Sequence, residues 1–341
     1  MNPMPRTVIV TGATAGVGRA VALRFAAAGD RVGLIARDAE ALDEVRRELI
    51  GRGVEVAAEP ADVADAGQVF AAAARLEETL GPFDVWINDA METVFSTVAD
   101  ISPAEFRRVT EVTYLGFVHG TMAALRSMLP RGRGRILQMG SALAYRGIPL
   151  QSAYCGAKHA IRGFTDSLRA ELLAERSAVT VSIVELPAVN TPQFDWARAH
   201  LPHTPRPMGR PVEPEAVAAA VYRAASGTGR EYWLGWPTIL LILGDFVAPG
   251  ALDRYLAATA IEGQQTNMPL PLDRPDNLDH PVTPLHRVRG SFSAEAGERA
   301  PLVVGELARF AAVAAGALAF FAAGAAVAHG FRNGRGLRAG R

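Results

Sequence analysis

A tyrosine and a lysine four residues apart, Tyr154 and Lys158, are the side chains of this sequence best suited to proton transfer. On a helix this spacing places both side chains on one face, one turn apart. A neighbouring ammonium group is expected to lower the pKa of a phenol, so that Tyr154 could act as a general acid or base at neutral pH. Ser141 precedes this pair at the end of a predicted strand and could hydrogen-bond a reacting oxygen.

A glycine-rich segment, TGATAGVG at residues 11–18, lies close to the start of the chain. It follows a predicted strand at 7–11 and begins a predicted helix at 16–28. Glycines there permit a tight turn and a close approach of phosphate, and the N-terminus of the helix offers free N–H groups and a positive dipole end. The segment therefore predicts a dinucleotide-binding turn.

These two motifs together, TGxxxGxG and Ser…YxxxK, resemble those of the short-chain dehydrogenase/reductase family over about residues 5–235. The resemblance implies an oxidoreductase that interconverts a carbonyl and an alcohol by hydride transfer. Ser141 would then bond the substrate oxygen, Tyr154 would exchange a proton with it, and Lys158 would also hold the nicotinamide ribose. No metal site is predicted.

Arg37, directly after the second predicted strand, indicates which nicotinamide cofactor binds. An acidic residue near this point holds a ribose 2′-hydroxyl, whereas an arginine suits a 2′-phosphate. The sequence therefore favours NADP(H), although Asp38 next to Arg37 could weaken its field. The turn and the resemblance together assign these further cofactor contacts: Gly12, Thr14, Ala15, Gly16, Val17, Gly18, Asp62, Val63, Asn88, Ala90, Tyr154, Lys158, Pro187, Val189 and Thr191.

Two positions depart from the family pattern. After the fourth strand the family often has Asn-Asn-Ala-Gly, whereas Asp89 and Met91 stand at the second and fourth positions here. Thr113 occupies the place of a helical asparagine that is associated with a proton relay, and its hydroxyl differs in reach. Thr113 is thus a catalytic candidate with altered geometry. Two alternatives stay open: a non-catalytic NADP(H)-binding sensor, and a membrane-associated scaffold.

Alternating apolar and amphipathic segments predict the scaffold that must position these groups. Short apolar runs separated by helical patterns indicate parallel strands joined by helices, covered on both faces. The prediction is a doubly wound α/β (Rossmann) fold with a mostly parallel seven-stranded sheet. The predicted strands are 7–11, 31–36, 54–59, 83–88, 135–139, 179–185 and 231–234, and the predicted helices are 16–28, 39–50, 67–80, 104–128 and 152–174.

Composition excludes several classes of function. The 341 residues carry 35 basic and 35 acidic side chains, so there is no basic excess of the kind that nucleic-acid binding requires. A single cysteine, Cys155, rules out an internal disulfide framework and a cysteine-based zinc site. Residues 1–6 are too short and polar for a signal peptide, which predicts a cytoplasmic catalytic domain.

The chain after residue 235 predicts additions to this domain. We divide it into a catalytic domain at 1–245, an irregular extension or linker at 246–300 and an Ala-rich helix with a basic tail at 301–341. The apolar run at 236–243 suggests an apolar substrate, and the uncharged segment 310–328 suggests membrane association. By resemblance, the helices at 104–128 and 152–174 would join copies of the chain into a homo-oligomer.

Overall fold

A twisted central sheet forms the framework of the protein. The computed structural model describes residues 5–318, and within them eight strands form this sheet. Seven strands are parallel, and the last runs antiparallel to its neighbour. The strands are β1 (Thr7–Thr11), β2 (Arg31–Ala36), β3 (Val56–Pro60), β4 (Val85–Asn88), β5 (Gly134–Met139), β6 (Val179–Glu185), β7 (Glu231–Leu234) and β8 (Leu302–Val304).

The spatial order of the strands is β8-β7-β6-β5-β4-β1-β2-β3. The direction of winding reverses between β1 and β4, which are direct neighbours. In such sheets the crevice beyond the carboxyl ends of these strands is where ligands bind. The predicted doubly wound fold is confirmed, and β8 adds one strand to the seven that were predicted.

Helices cover both faces of the sheet because alternate strand residues point in opposite directions. Val8 and Val10 of β1 pack on one face, and Ile9 packs on the other. The first face carries α1 (Gly16–Ala26), α2 (Ala39–Ile50) and α7 (Pro214–Ala224), and the second carries α3 (Ala66–Leu80), α5 (Gly116–Met128) and α6 (Ser152–Ala174).

The long helix predicted at 104–128 has a change of pitch near its middle. It comprises α4 (Pro103–Thr110), a π-helical turn (Glu111–Leu115) and α5. Single π turns inside helices occur frequently at functional sites. Thr113 lies in this turn, so the turn decides where its hydroxyl points.

The segment after β7 differs in part from the predicted irregular extension. Two helices, α8 (Trp236–Val247) and α9 (Pro249–Gly263), follow β7, and α9 falls inside the range 246–300. Proline at the first helical position and several alanines favour this helix. Shorter elements complete the described chain: strands Val94–Phe95, Arg198–Ala199, His203–Pro205 and Gln265–Pro269, and helical turns Leu129–Arg131, Ala142–Ala144, Gln193–Trp196 and Thr283–Leu285.

The rest of the extension packs against the catalytic domain. Arg198 forms ion pairs with Asp276 and Asp279 of the extension. Asn190 donates to the Ser293 hydroxyl at 2.9 Å and accepts from the Phe292 amide at the same distance. These contacts tie the segment to the sheet, whereas the division of the chain at residues 245 and 300 stays a prediction.

A helix follows β8 and covers residues 305–318 in the structure. Arg309 on this helix pairs with Glu231 of β7 at 2.5 Å. Among residues 5–318, no helix combines the length and hydropathy needed to cross a membrane. Part of the predicted membrane segment 310–328, from residue 319 onward, lies outside the described residues.

Candidate active site

A cavity of about 770 Å³ opens beyond the carboxyl ends of the parallel strands. It extends from the start of α1 past the end of β5 to helices α8 and α9. The cavity brings together most of the predicted site residues, which come from seven separate segments. Those in its lining are Gly12, Thr14, Ala15, Gly16, Val17, Arg37, Asp62, Val63, Ala90, Ser141, Tyr154, Lys158, Pro187, Val189 and Thr191.

The turn between β1 and α1 leaves the N-terminus of α1 open to this cavity. Gly12 has a φ of +72°, and a side chain there would come within 2.8 Å of the Ala90 backbone. A side chain on Gly18 would come within 2.2 Å of the Gly12 carbonyl oxygen. Ala15 provides no side-chain cap. The turn therefore requires glycine for its conformation and presents backbone N–H groups to a ligand.

The three predicted catalytic side chains converge where β5 ends and α6 begins. Ser141 follows β5, while Tyr154 and Lys158 lie on the first turns of α6. The Lys158 ammonium donates to the Met139 carbonyl at 2.6 Å, and its nitrogen lies 5.4 Å from the centre of the Tyr154 ring. The same nitrogen lies 4.7 Å from the Phe117 ring, so the ammonium is held between a carbonyl and two aromatic faces.

The phenol of Tyr154 is buried, and burial is the main influence on its acidity. Burial raises the pKa of Tyr154 above its usual value, Ser141 lies within hydrogen-bonding reach and opposes this, and Asp89 and Glu185 act in the same direction as burial. Burial is the largest of these influences, and the expected effect of Lys158 on the phenol stays a prediction.

Two carboxyl groups lie near the Lys158 ammonium. Burial lowers the pKa of Lys158, and the carboxylates of Asp89 and Glu185 oppose this shift. Burial also raises the pKa of Asp89, and Lys158 opposes that shift in turn. Glu185 is fully buried at the end of β6, and its side-chain oxygens have no hydrogen-bond partner among the described residues. The Lys158 ammonium therefore stabilises the ionised forms of both Asp89 and Glu185.

Arg37, which directly follows β2, lines the cavity and forms an ion pair. Its guanidinium is 2.5 Å from the Glu92 carboxylate and donates to the Asn277 carbonyl at 2.6 Å. Glu92 also faces Arg108, at 3.4 Å. Burial raises the pKa of Glu92 to about 8, against the pull of both arginines.

Residues 276–293 of the extension, here called the strap, run along the part of the cavity that Gly16 and Asp38 line. The amide of Gly16 donates to the Arg287 carbonyl at 2.9 Å, and Thr283 donates to Asp38 at 2.6 Å. Asn277 and His286 of the strap contribute to the lining. A ligand at the N-terminus of α1 would therefore meet the strap as well as the turn.

Three predicted site residues lie outside the cavity lining. Gly18 packs against the turn, as described above. Asn88 is fully buried, accepts from the Trp86 indole and donates to Gln138 and Thr121, so it ties β4 to β5 and α5. The Thr113 hydroxyl is occupied by the backbone of Glu92 as both donor and acceptor.

The end of the cavity that lies at α8 and α9 is predominantly apolar. Leu240 and Leu241 of α8 and Leu252 and Leu256 of α9 line it, together with Tyr255. Leu240 and Tyr255 are also more than half exposed, at 65% and 58%. The cavity therefore reaches the surface between α8 and α9.

Several residues of the site were missed by the sequence analysis. Glu92 directly follows the altered Asp-Ala-Met segment, and an acidic residue among apolar neighbours was a signal that could have found it. The sequence offers no such signal for Arg108 or the strap. Arg108 contacts Asp62, 46 residues away, and Leu278 of the strap, 170 residues away in the chain.

A search against family models finds a match to "short chain dehydrogenase" over residues 6–201. A Bacillus subtilis (strain 168) protein named uncharacterized oxidoreductase YxnA is 31% identical over 268 residues, covering 77% of this chain and 75% of that protein. The mouse (Mus musculus) dehydrogenase/reductase SDR family member 7B is 40% identical over 178 residues, which is 51% of this chain and 55% of that protein.

Two solved structures of similar proteins superimpose on this chain. An actinorhodin polyketide ketoreductase with NADPH superimposes with a TM-score of 0.59 at 30% identity, covering 67% of this chain and 94% of that one. An alcohol dehydrogenase from the archaeon Thermococcus sibiricus, complexed with 5-hydroxy-NADP, gives a TM-score of 0.59 at 26% identity, covering 67% and 95%.

The fold, the turn before α1 and the Ser, Tyr and Lys side chains define a Rossmann-type oxidoreductase. The chain belongs to the short-chain dehydrogenase/reductase family, as its resemblance predicts.

Proposed function

We propose that the protein is an NADP(H)-dependent oxidoreductase that interconverts an apolar carbonyl compound and its alcohol. The observation that carries this proposal is the convergence of Ser141, Tyr154 and Lys158 in the same cavity as the N-terminus of α1. A binding-only role would not need all three side chains, which disfavours a sensor or scaffold without catalysis.

The cavity fits a dinucleotide along its length. The N–H groups at the start of α1 suit a pyrophosphate, Arg37 suits a 2′-phosphate, and Asp62 and Val63 suit the adenine. Ala90, Pro187, Val189 and Thr191 would surround the nicotinamide, and Lys158 would hold its ribose. The neighbours that contain NADPH or 5-hydroxy-NADP support the same cofactor class.

The bound cofactor supplies or accepts the hydride. In the reducing direction, Ser141 donates a hydrogen bond to the carbonyl oxygen, and Tyr154 transfers its phenolic proton to that oxygen as the alcohol forms. In the oxidising direction, the phenolate of Tyr154 takes the proton from the hydroxyl. Lys158 lies beside the phenol and stabilises the phenolate once the proton has left.

The protonation state of Tyr154 favours one direction at neutral pH. Because the pKa of the phenol is raised, it carries its proton and is ready to act as an acid. Reduction of a carbonyl needs this form, whereas oxidation of an alcohol needs the phenolate. The protonated form of Tyr154 at neutral pH is therefore the form that carbonyl reduction requires.

The apolar end of the cavity determines the substrate class. Leucines from α8 and α9 would exclude water from an alkyl or aryl group attached to the carbonyl carbon. Charged substrates would lose hydration there without gaining a partner. The substrate is accordingly a small molecule with an extended apolar group.

Tyr154→Phe tests this function. The variant should bind NADPH as the wild type does and should lose turnover by about 100-fold or more, because the proton donor is absent. Tyr222→Phe, a tyrosine on α7 outside the cavity, serves as the matched control. NADPH oxidation across a panel of apolar aldehydes and ketones gives the readout. Turnover that survives Tyr154→Phe would reject the role of this tyrosine.

Two of the expectations from sequence stay predictions. Homo-oligomerisation through α4–α5 and α6 is tested by the mass of the protein in solution. Membrane association through 310–328 is tested by sedimentation of the full chain with lipid vesicles, compared with a chain ending at residue 309.

A further inference from the structure

We propose that Glu92 sets the preference between NADP(H) and NAD(H), by competing with the cofactor's 2′-phosphate for Arg37 and by taking up a proton when the phosphate binds. This inference rests on the proposed function, since it assumes that a nicotinamide dinucleotide occupies the cavity. It adds to Arg37 a second residue that decides the selectivity.

The position of Glu92 carries the first step. Its carboxylate contributes to the cavity lining, is 2% exposed, and lies 2.5 Å from the Arg37 guanidinium. Arg37 is the cation that would receive a 2′-phosphate, so phosphate and carboxylate share one partner. Two anions around one guanidinium repel each other strongly in a site that excludes water.

The second step is that the backbone of Glu92 is held in place. Its amide donates to the Thr113 hydroxyl and its carbonyl accepts from the same hydroxyl, both at 2.9 Å. Thr113, one of the departures from the family pattern, thus fixes the backbone of Glu92, which directly follows the other departure at residues 89–91. Movement of the main chain would break both hydrogen bonds, so we expect protonation of the carboxylate to relieve the competition.

The charges around Glu92 come from four segments. Arg37 follows β2, Arg108 lies on α4, Asp62 follows β3 and Asp279 lies on the strap. Arg108 is itself paired with Asp62 at 2.7 Å, so its charge is divided between two carboxylates. The four charges that face Glu92 sum to zero, and burial raises the pKa of Glu92 to about 8.

A 2′-phosphate would change this balance. Its second pKa is about 6, so it is a dianion above about pH 7. Added beside Arg37, it makes the ionised form of Glu92 less favourable and raises the pKa of that carboxyl further. By linkage, NADPH then binds the protonated form of Glu92 more tightly than the ionised form. NADH has a neutral 2′-hydroxyl in place of the phosphate, so its binding should not change the pKa of Glu92.

Binding titrations on the wild-type protein give the first test. Between about pH 7 and about pH 9, the affinity for NADPH should fall about tenfold, while that for NADH changes little. Calorimetry at about pH 8 in two buffers of different ionisation enthalpy should show uptake of about half a proton with NADPH and none with NADH. No proton uptake with NADPH would overturn the proposal.

Glu92→Gln gives the second test, with binding as its readout. The variant should bind NADPH more tightly at about pH 8.5, should lose the pH dependence, and should keep the NADH affinity within about twofold. Glu171→Gln, an exposed carboxylate of α6 outside the cavity, is the matched control for the loss of one charge. An unchanged ratio of NADPH to NADH affinity in Glu92→Gln would also overturn the proposal.

These outcomes separate the inference from the proposed function. If neither nucleotide binds the wild-type protein, the proposed function fails. If both bind but the Glu92→Gln variant and the wild type show the same selectivity and pH profile, only the role of Glu92 fails.

Discussion

The amide of Gly16 donates a hydrogen bond to the carbonyl of Arg287, at 2.9 Å, across the mouth of the cavity. Gly16 begins α1 and Arg287 belongs to the strap, so the extension occupies one of the N–H groups that a pyrophosphate would use. This contact must break or be shared when a dinucleotide binds. We therefore expect the strap to contact a bound dinucleotide and to affect the rate of cofactor exchange.

Thr283→Val should accelerate cofactor binding. The substitution removes the 2.6 Å hydrogen bond from the strap to Asp38 but leaves the Asp38 contacts that cap α2. A strap held by fewer bonds opens more often, so association and dissociation of NADPH should both become faster. Stopped-flow fluorescence measures both rates. Thr204→Val, a threonine outside the cavity lining, is the control; equal rates in wild type and Thr283→Val would argue against this role of the strap.

NADPH should also change hydrogen exchange in the strap. The amides of 277–287 lie beside the cavity, so a bound dinucleotide that displaces the Arg287 carbonyl alters their protection, whereas amides in the core strand β5 stay as they were. Mass-resolved exchange with and without NADPH makes the comparison. A strap whose exchange is indifferent to saturating NADPH would mean that the cofactor does not reach the N-terminus of α1.

The pH dependence of the two reaction directions should differ. The pKa of Tyr154 is raised above its usual value, so the phenol keeps its proton through neutral and mildly alkaline pH. Carbonyl reduction should therefore show a plateau from about pH 6 to about pH 8, and alcohol oxidation should rise about tenfold per pH unit over the same range. Initial rates in both directions check this. An oxidation rate that levels off near pH 7 would show that the phenol titrates there.

Thr113→Val should destabilise the fold. The hydroxyl satisfies the buried N–H and C=O of Glu92, and valine leaves both without that partner. Each unsatisfied buried group costs about 1–3 kcal/mol, so the free energy of unfolding should fall by at least the lower figure. Urea denaturation measures the loss, and Thr113→Ser, which keeps the hydroxyl, should recover most of it. A Thr113→Val protein as stable as the wild type would contradict the double contact.

The sequence predicts the scaffold, and most of its predicted site residues line the cavity, because both depend on local patterns. The turn at 11–18 and the pair Tyr154 and Lys158 each lie within one strand–helix unit, so their spacing in the chain determines their spacing in space. The π turn at Glu111–Leu115 is different, since nothing in that helical pattern shows a change of pitch. The direction of the Thr113 hydroxyl follows from that turn and could not be read from the sequence.

The charge states of the site residues are a second feature that the sequence does not predict. Arg37 follows β2 in the sequence as an isolated cation, and its partner Glu92 belongs to the loop after β4, on the other side of β1. The pKa of Tyr154 likewise depends on burial and on Asp89 and Glu185, which are distant from it in the chain. Residue types and spacing therefore predict which groups take part, whereas their charge states depend on the packed structure.

The length of an apolar substrate should control kcat/KM. Each methylene buried between α8 and α9 contributes about 0.8 kcal/mol, which corresponds to a three- to fourfold rise in kcat/KM for each added CH₂. A series of straight-chain aldehydes with NADPH measures this slope, which should level off once the cavity is filled. Leu240→Asn places a polar amide where the cavity opens to solvent, and should flatten the slope without changing the rate for the shortest aldehyde. A flat series in the wild type would show that the apolar end of the cavity does not hold the substrate.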